Sequence, residues 1–260
     1  TPSGCEIEII EPGFLYFFAN DSPFSYSNNR GFLSVEVTRL PWSTDVDQKT
    51  SPTHQPVPGS LDVKLYFTPG TCSLAPHIAL REAGLDFDLV RVDIRQRTLA
   101  DGSDFLAINP KGYVPVLELE DGRYLTEVPA IVQYIADRIP EGGLAPRPYT
   151  LERYQLQEWL AFISSELHKA FVPLFRPDTP EDYKRSIKEN LAGHLGYVAG
   201  RLEGRNYLLG DRFTVADGYL FTVLGWGNAV AIDLGQWPPL LAFQERVGQR
   251  QSVRDALAAE

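Results

Sequence analysis

The chain has no methionine, only two cysteines (Cys5 and Cys72) and only four histidines in 260 residues. Two cysteines cannot build a disulfide framework, and His54, His77, His168 and His194 show none of the spacings of a metal site. Such cysteine usage fits a reducing compartment, and the expected location is cytoplasmic. No apolar run reaches the roughly 18 residues that would suggest a membrane span. The first residues show no charged segment leading into an apolar run and a small-residue cleavage site, so no signal peptide is visible. Positive charge is also scarce. Lys and Arg number 24 against 34 Asp and Glu, for a net charge of −10 and a pI near 5.0. That surface repels phosphate backbones and no basic patch offsets it, so neither nucleic acid nor a membrane is an expected partner. The missing methionine has no physical explanation in the sequence.

What is present is an ordinary globular composition, 43% hydrophobic and 22% charged, long enough for one large domain or two smaller ones. Residues 1–40 form a β-rich extension, with strands expected at Cys5–Ile10, Phe14–Phe18 and Gly31–Arg39 around a long polar turn. Residues 41–61 carry Pro41, Pro52, Pro56 and Pro58 among polar residues, a linker composition unable to build a core. A second pattern opens with a strand at Val63–Phe67, a Thr68-Pro69-Gly70 turn and a helix from Ser73 to Ala83 ended by Gly84. A strand follows at Phe87–Val92. Val116–Leu119 and Tyr124–Leu125 then flank the Asp121-Gly122 hairpin signal, and Thr126 is expected to cap a helix through Asp137. This β-α-β then β-β-α order over 62–142 predicts a thioredoxin-like domain, a small mixed sheet with helices on its faces.

Residues 148–260 read as an α-helical domain. Leu156, Leu160, Ile163, Leu167, Phe171 and Leu174 repeat at spacings of four and three, the stripe of one long helix. Ile187, Leu191, Leu195, Val198 and Leu202 mark a second. Thr214-Val215-Ala216-Asp217 is a capping box opening a third, and two short helices near 238–249 and 252–259 close the bundle.

Cys72 is the sharpest chemical feature. It precedes a helix, whose unpaired N–H groups and partial positive charge stabilise a thiolate, so a lowered pKa is expected. A lone cysteine is more often a small buried hydrophobe, and both readings stand at this point. Cys72-Ser73-Leu74-Ala75 is not a Cys-x-x-Cys pair, so disulfide chemistry would need a second thiol from a small molecule. The proline of Val114-Pro115 suggests a cis peptide beside a ligand groove, or simply a strand start. Glu127 either complements a helix dipole or accepts the amino group of a peptide. His168, at the edge of the long stripe, is a boundary residue unless it meets Cys72 across the domain interface. His77 and His194 receive no role.

The segment Leu65 to Leu85, the Phe105–Pro115 segment, Leu125-Thr126-Glu127, Ala130–Tyr134, Trp159, Ser165–Lys169 and Gly210–Asp217 resemble beta-class bacterial glutathione S-transferases, in register from Val63 to the last residue. The resemblance implies the glutathione S-transferase fold and a homodimeric detoxification enzyme. Its co-substrate would be glutathione, its other substrates small hydrophobic electrophiles, and no metal would be required. It implies that Val114, before cis-Pro115, pairs with the cysteinyl part of glutathione, and that Glu127 and Val128 hold its γ-glutamyl end. Arg97 would lie near the glycyl carboxylate, and Cys72 beside the glutathione sulfur. His168 and Lys169 would complete the site, and Trp226 would line the electrophile pocket. Phe67, Val128 and Ala161 depart from the family pattern, each removing a polar group. A non-catalytic binding or scaffold protein of the same fold is the alternative reading.

Residues 7–39 resemble the C-terminal end of small bacterial calcium-dependent galactose-binding lectins, through Asn20-Asp21, Pro23, Tyr26, Asn28-Asn29 and Gly31. That resemblance implies Asp21, Asn28 and Asn29 as side-chain calcium ligands and Ser25 as a carbonyl ligand. The rest of the lectin sandwich is missing, so its strands would lack partners, and the reading is of a remnant or fusion rather than a working site.

Overall fold

Alternation along β1 (Val63–Phe67) splits its side chains between two cores. Val63, Leu65 and Phe67 enter the main core, while Tyr66 packs with Val92, Phe105, Val114 and Val116 on the opposite face. This computed structural model describes residues 63–260. The expected strands of residues 1–40, the linker and the calcium candidates Asp21, Ser25, Asn28 and Asn29 lie outside the described residues.

From β1 the chain turns through Thr68–Ser73 into α1 (Leu74–Ala83), which ends at Gly84 in the left-handed conformation, φ 63°. β2 (Phe87–Asp93) returns parallel to β1, with Leu65 opposite Leu89. Parallel neighbours require a crossover, and α1 supplies it. A short β3 (Thr98–Leu99), not expected from the sequence, pairs antiparallel with the end of β2. β4 (Val116–Glu118) runs antiparallel to β1, and β5 (Tyr124–Thr126) closes the hairpin. The sheet order is β3-β2-β1-β4-β5. The Val114–Pro115 peptide is cis.

α2 (Val128–Arg138) corrects the expected cap. Thr126 is a strand residue paired with Val116, and the N-cap position falls to Glu127, whose φ is +71°. A non-glycine residue at that φ is costly by about 1–3 kcal/mol and persists only where the surroundings impose it.

The long stripe is buried throughout, from Leu156 to Leu174, but the helix carrying it is not uniform. α3 (Leu151–Phe162) passes into a π-helical turn at Ile163–His168, then α4 (Lys169–Phe171) and a 3₁₀ turn at Val172–Phe175. The π turn adds a residue to the helical repeat and re-aims the side chains after it. α5 (Glu181–Leu202), α6 (Val215–Leu224), α7 (Pro238–Gly248) and α8 (Gln251–Ala259) complete the helical part. Among the described residues, no helix is long and apolar enough to cross a membrane.

α6 is apolar on nearly every side and packs on α1. Its capping box holds it in place. The buried Asp217 carboxylate accepts from Thr214 N–H and Leu208 N–H, each at 2.8 Å, and from Thr214 Oγ1 at 2.9 Å. Burial nevertheless pushes its pKa up to about 6. Asp217→Ala removes the cap and strands three buried donors, so it should lower unfolding free energy by about 2–4 kcal/mol in a denaturant titration. A loss below about 0.5 kcal/mol would contradict this account.

Candidate active site

The Thr68–Ser73 turn is tied to itself before anything else touches it. Thr71 Oγ1 donates to Thr68 O at 2.8 Å, Ser73 Oγ donates to the same carbonyl at 3.1 Å, and Thr68 N–H donates to Ser73 Oγ at 3.2 Å. Gly70 sits at φ +74°, which suits glycine. This turn delivers Cys72 to the N-terminal end of α1, as the sequence implied.

The chemistry of the thiol differs from that expectation. Cys72 is buried, and its Sγ donates to the Val114 carbonyl at 3.5 Å. Burial pushes the thiol up to about 12, with the Glu127 carboxylate pushing the same way and the Lys169 ammonium opposing. The lowered pKa inferred from helix position is therefore wrong for the free protein. A helix terminus contributes about 0.3–1 kcal/mol, less than one pKa unit, while full burial moves a group by up to about 3–5 units. Burial wins.

His168 lies in the π turn and meets α6. Its Nδ1 is 2.7 Å from the Tyr219 hydroxyl, and its ring lies edge-on to Trp226 at 4.9 Å. Burial, aided by the neighbouring Lys169 charge, lowers its pKa to about 4, so the imidazole is neutral at pH 7. Trp226 spans the two halves of the structure: its Nε1 donates to the Gly70 carbonyl at 3.1 Å. Phe171 and Phe175 pack edge-on to the same indole, and Phe175 is exposed.

Glu127 and Val128 stand at the start of α2, Val128 buried and the Glu127 carboxylate exposed. Lys111 Nζ donates to Glu127 Oε1 at 2.5 Å and to Thr126 Oγ1 at 2.7 Å. Arg97 lies at φ +59° between β2 and β3, its side chain against Gly112. The expected residues thus fall into one region. The Cys72 thiol feels the charges of Glu127 and Lys169, His168 feels the same two, and Trp226 bridges to the Cys72 turn. Arg97 joins only through the loop that carries Val114. Phe67 is a core residue, and Tyr66 faces the other side of the sheet, hydrogen-bonded to Glu118 at 2.6 Å.

Three residues of this region have no role that the sequence pattern predicts: Tyr219, Ser164 and Lys111. Tyr219 is almost fully buried in α6 and hydrogen-bonded to His168; burial raises its pKa, and the nearby Ser164 side chain opposes that shift. A tyrosine inside an apolar helix usually finds a partner for its hydroxyl, and that was the available signal. Lys111 gave no signal, because its partners lie 15 and 16 residues away along the chain. Among the described residues, no group of three His, Cys, Asp or Glu side chains could hold a metal ion.

Comparison with known proteins bears on this arrangement. Residues 70–138 match the family described as Glutathione S-transferase, N-terminal domain, and residues 162–251 match Glutathione S-transferase, C-terminal domain. The chain is 50% identical over 198 residues to glutathione S-transferase GstA of Escherichia coli O157:H7, covering 76% of this chain and 98% of that protein. Among solved structures, BphK, a bacterial GST in a ternary complex, superposes with a TM-score of 0.75 at 58% identity, over 75% of this chain and 98% of BphK. A sphingomonad glutathione S-transferase complexed with glutathione gives a TM-score of 0.73 at 49% identity, with coverage of 75% and 98%.

Proposed function

This chain belongs to the glutathione S-transferase family, and on that premise we propose that it is a glutathione transferase whose site is built around Cys72 and His168. The observation that carries the reading is that a thiol and a neutral imidazole both feel the same carboxylate and ammonium, while Trp226 ties the helices to the turn that carries the thiol. The solved relative complexed with glutathione supports the same ligand.

Glutathione would lie along the cis-Pro115 loop, its cysteinyl part on Val114 and its γ-glutamyl end on Glu127 and Val128. Lys111 supports the last assignment, because a primary ammonium already sits on Glu127. Arg97 is assigned to the glycyl carboxylate, and Lys169 adds positive charge beside the sulfur. When His168 Nδ1–H donates to the Tyr219 oxygen, Nε2 is left as an acceptor. It takes the proton of the glutathione thiol, the sulfur lone pair forms the S–C bond, and the leaving group departs with its electron pair. In exchange chemistry, Cys72 loses its proton and attacks a glutathione mixed disulfide. The S–S bond breaks, a thiolate leaves and is protonated, and a second glutathione thiolate releases Cys72 as oxidised glutathione forms.

The aromatic wall of Trp226, Phe171 and Phe175 suits a small hydrophobic electrophile. A homodimer in the cytoplasm, with residues 62–142 binding glutathione and 148–260 closing over it, completes the proposal. The test is retention on glutathione resin together with turnover of a chlorinated nitrobenzene and of a glutathione mixed disulfide. Retention with both turnovers absent would favour the non-catalytic reading, which the buried, protonated Cys72 already makes worth testing.

Glu127→Gln is expected to raise the glutathione Kd about tenfold by calorimetry, since a charge-assisted bond to the γ-glutamyl ammonium is lost. A Kd within twofold of wild type would move the γ-glutamyl end elsewhere.

A further inference from the structure

A second carboxylate, far from Glu127 in sequence, is buried at the Cys72 turn. Glu260, which follows α8, has its side chain only 6% exposed, against a fully buried His77. Its Oε1 lies 3.2 Å from His77 Nδ1, and its Oε2 accepts the Gly70 N–H at 3.3 Å. The hydrogen positions follow from the third partner. Arg81 Nε–H can only donate, and it points at His77 Nε2 at 2.9 Å. His77 Nε2 is therefore the acceptor, and Nδ1 carries the hydrogen given to Glu260. The carboxylate thus holds two donors, one on each oxygen.

The other side of the same glycine is also held, because Trp226 Nε1–H donates to the Gly70 carbonyl. Both polar groups of Gly70 are engaged from the helical part of the chain, by residues 156 and 190 positions away. The bonds inside the Thr68–Ser73 turn leave these two groups unused. We infer that Glu260 is a positioning residue for the reaction: with Trp226 it clamps the Gly70 backbone on both sides and so sets where the Cys72 sulfur stands relative to bound glutathione. The inference rests on the proposed role of Cys72 and adds a residue to it.

A carboxylate is required, and its amide isostere falls short. Glutamine offers one acceptor oxygen, so either Gly70 N–H or His77 Nδ1–H loses its partner. Glu260→Gln should therefore lower kcat for glutathione-dependent exchange about tenfold while the glutathione KM stays within twofold, because misplacing a reacting atom costs rate more than binding. Trp226→Phe, which keeps an aromatic ring and removes the N–H, should show the same split. The double variant should lose less than the product of the single losses, as both act on one residue, Gly70.

The measurement is steady-state exchange kinetics with thermal unfolding of each variant. A folded Glu260→Gln protein with wild-type kcat overturns the inference. Should that variant not fold, Trp226→Phe alone decides, and wild-type kcat there overturns it equally. A wild type that neither binds nor turns over glutathione defeats the proposed function itself, whereas an active wild type matched by both variants defeats only the clamp.

Discussion

Cys72→Ala is expected to cut glutathione-dependent disulfide exchange by at least about a hundredfold while leaving the glutathione Kd within about threefold. The asymmetry follows from the contacts. The side chain makes one weak hydrogen bond, to the Val114 carbonyl, and no ionic one, so binding has little to lose. Exchange has no other described thiol to use. The pH dependence is equally specific. Because burial holds the thiol at about 12 in the free protein, the thiolate fraction grows about tenfold per pH unit across the neutral range. Exchange through Cys72 should rise steadily from pH 6 to pH 9 and show no plateau near 7. A plateau near neutrality would mean that bound glutathione lowers the pKa by several units. The Glu127 carboxylate, one of the groups raising it, is the contact through which a ligand ammonium could begin to do so.

His168→Asn should lower kcat for conjugation about a hundredfold, the usual scale for losing a placed general base, with a smaller change in glutathione KM. Asparagine can still donate to the Tyr219 hydroxyl but cannot accept a proton at neutral pH, so the variant separates positioning from proton transfer. Since the His168 pKa is lowered to about 4, the wild-type profile should show no loss from this residue between pH 7 and pH 5. The same shift bears on stability. The unfolded chain takes up a proton near pH 6.5 that the folded chain refuses until about pH 4, so stability falls as pH drops through that window. Full stability from this group is present above 6.5. His168→Asn should flatten that acid slope in denaturant titrations at pH 5 and pH 7; an unchanged slope would assign it to other groups.

Much of the fold was legible because its signals are local. The Leu156-to-Leu174 stripe, the Thr214–Asp217 box and Gly84 each carry their structural meaning within a few residues. Structure departs from local pattern where a distant partner decides the outcome. Thr126 has the chemistry of a cap, but pairing with Val116 keeps it in β5. β3 exists only because Val92 and Asp93 offer an edge to Leu99 and Thr98. The π turn leaves no mark in the stripe, since the buried residues keep their spacing while Ser164 and His168 are turned toward Tyr219.

The candidate site was legible in position more than in electrostatics. Resemblance placed Cys72, Val114, Glu127, His168 and Trp226, and the folded chain brings them to one junction. The state of Cys72 was not legible, because helix position is visible in sequence and depth of burial is not. Glu260 and His77 were invisible for a further reason: their hydrogen bonds span 183 residues of chain.

The most direct test of the central claim, that glutathione sulfur and Cys72 sulfur share one cleft, is peptide mass spectrometry after incubation with oxidised glutathione. One glutathionyl group should be found on the Cys72 peptide, and the Glu127→Gln variant should acquire it more slowly. A free Cys72 thiol after that incubation, with Cys5 modified or with no adduct anywhere, would contradict the account.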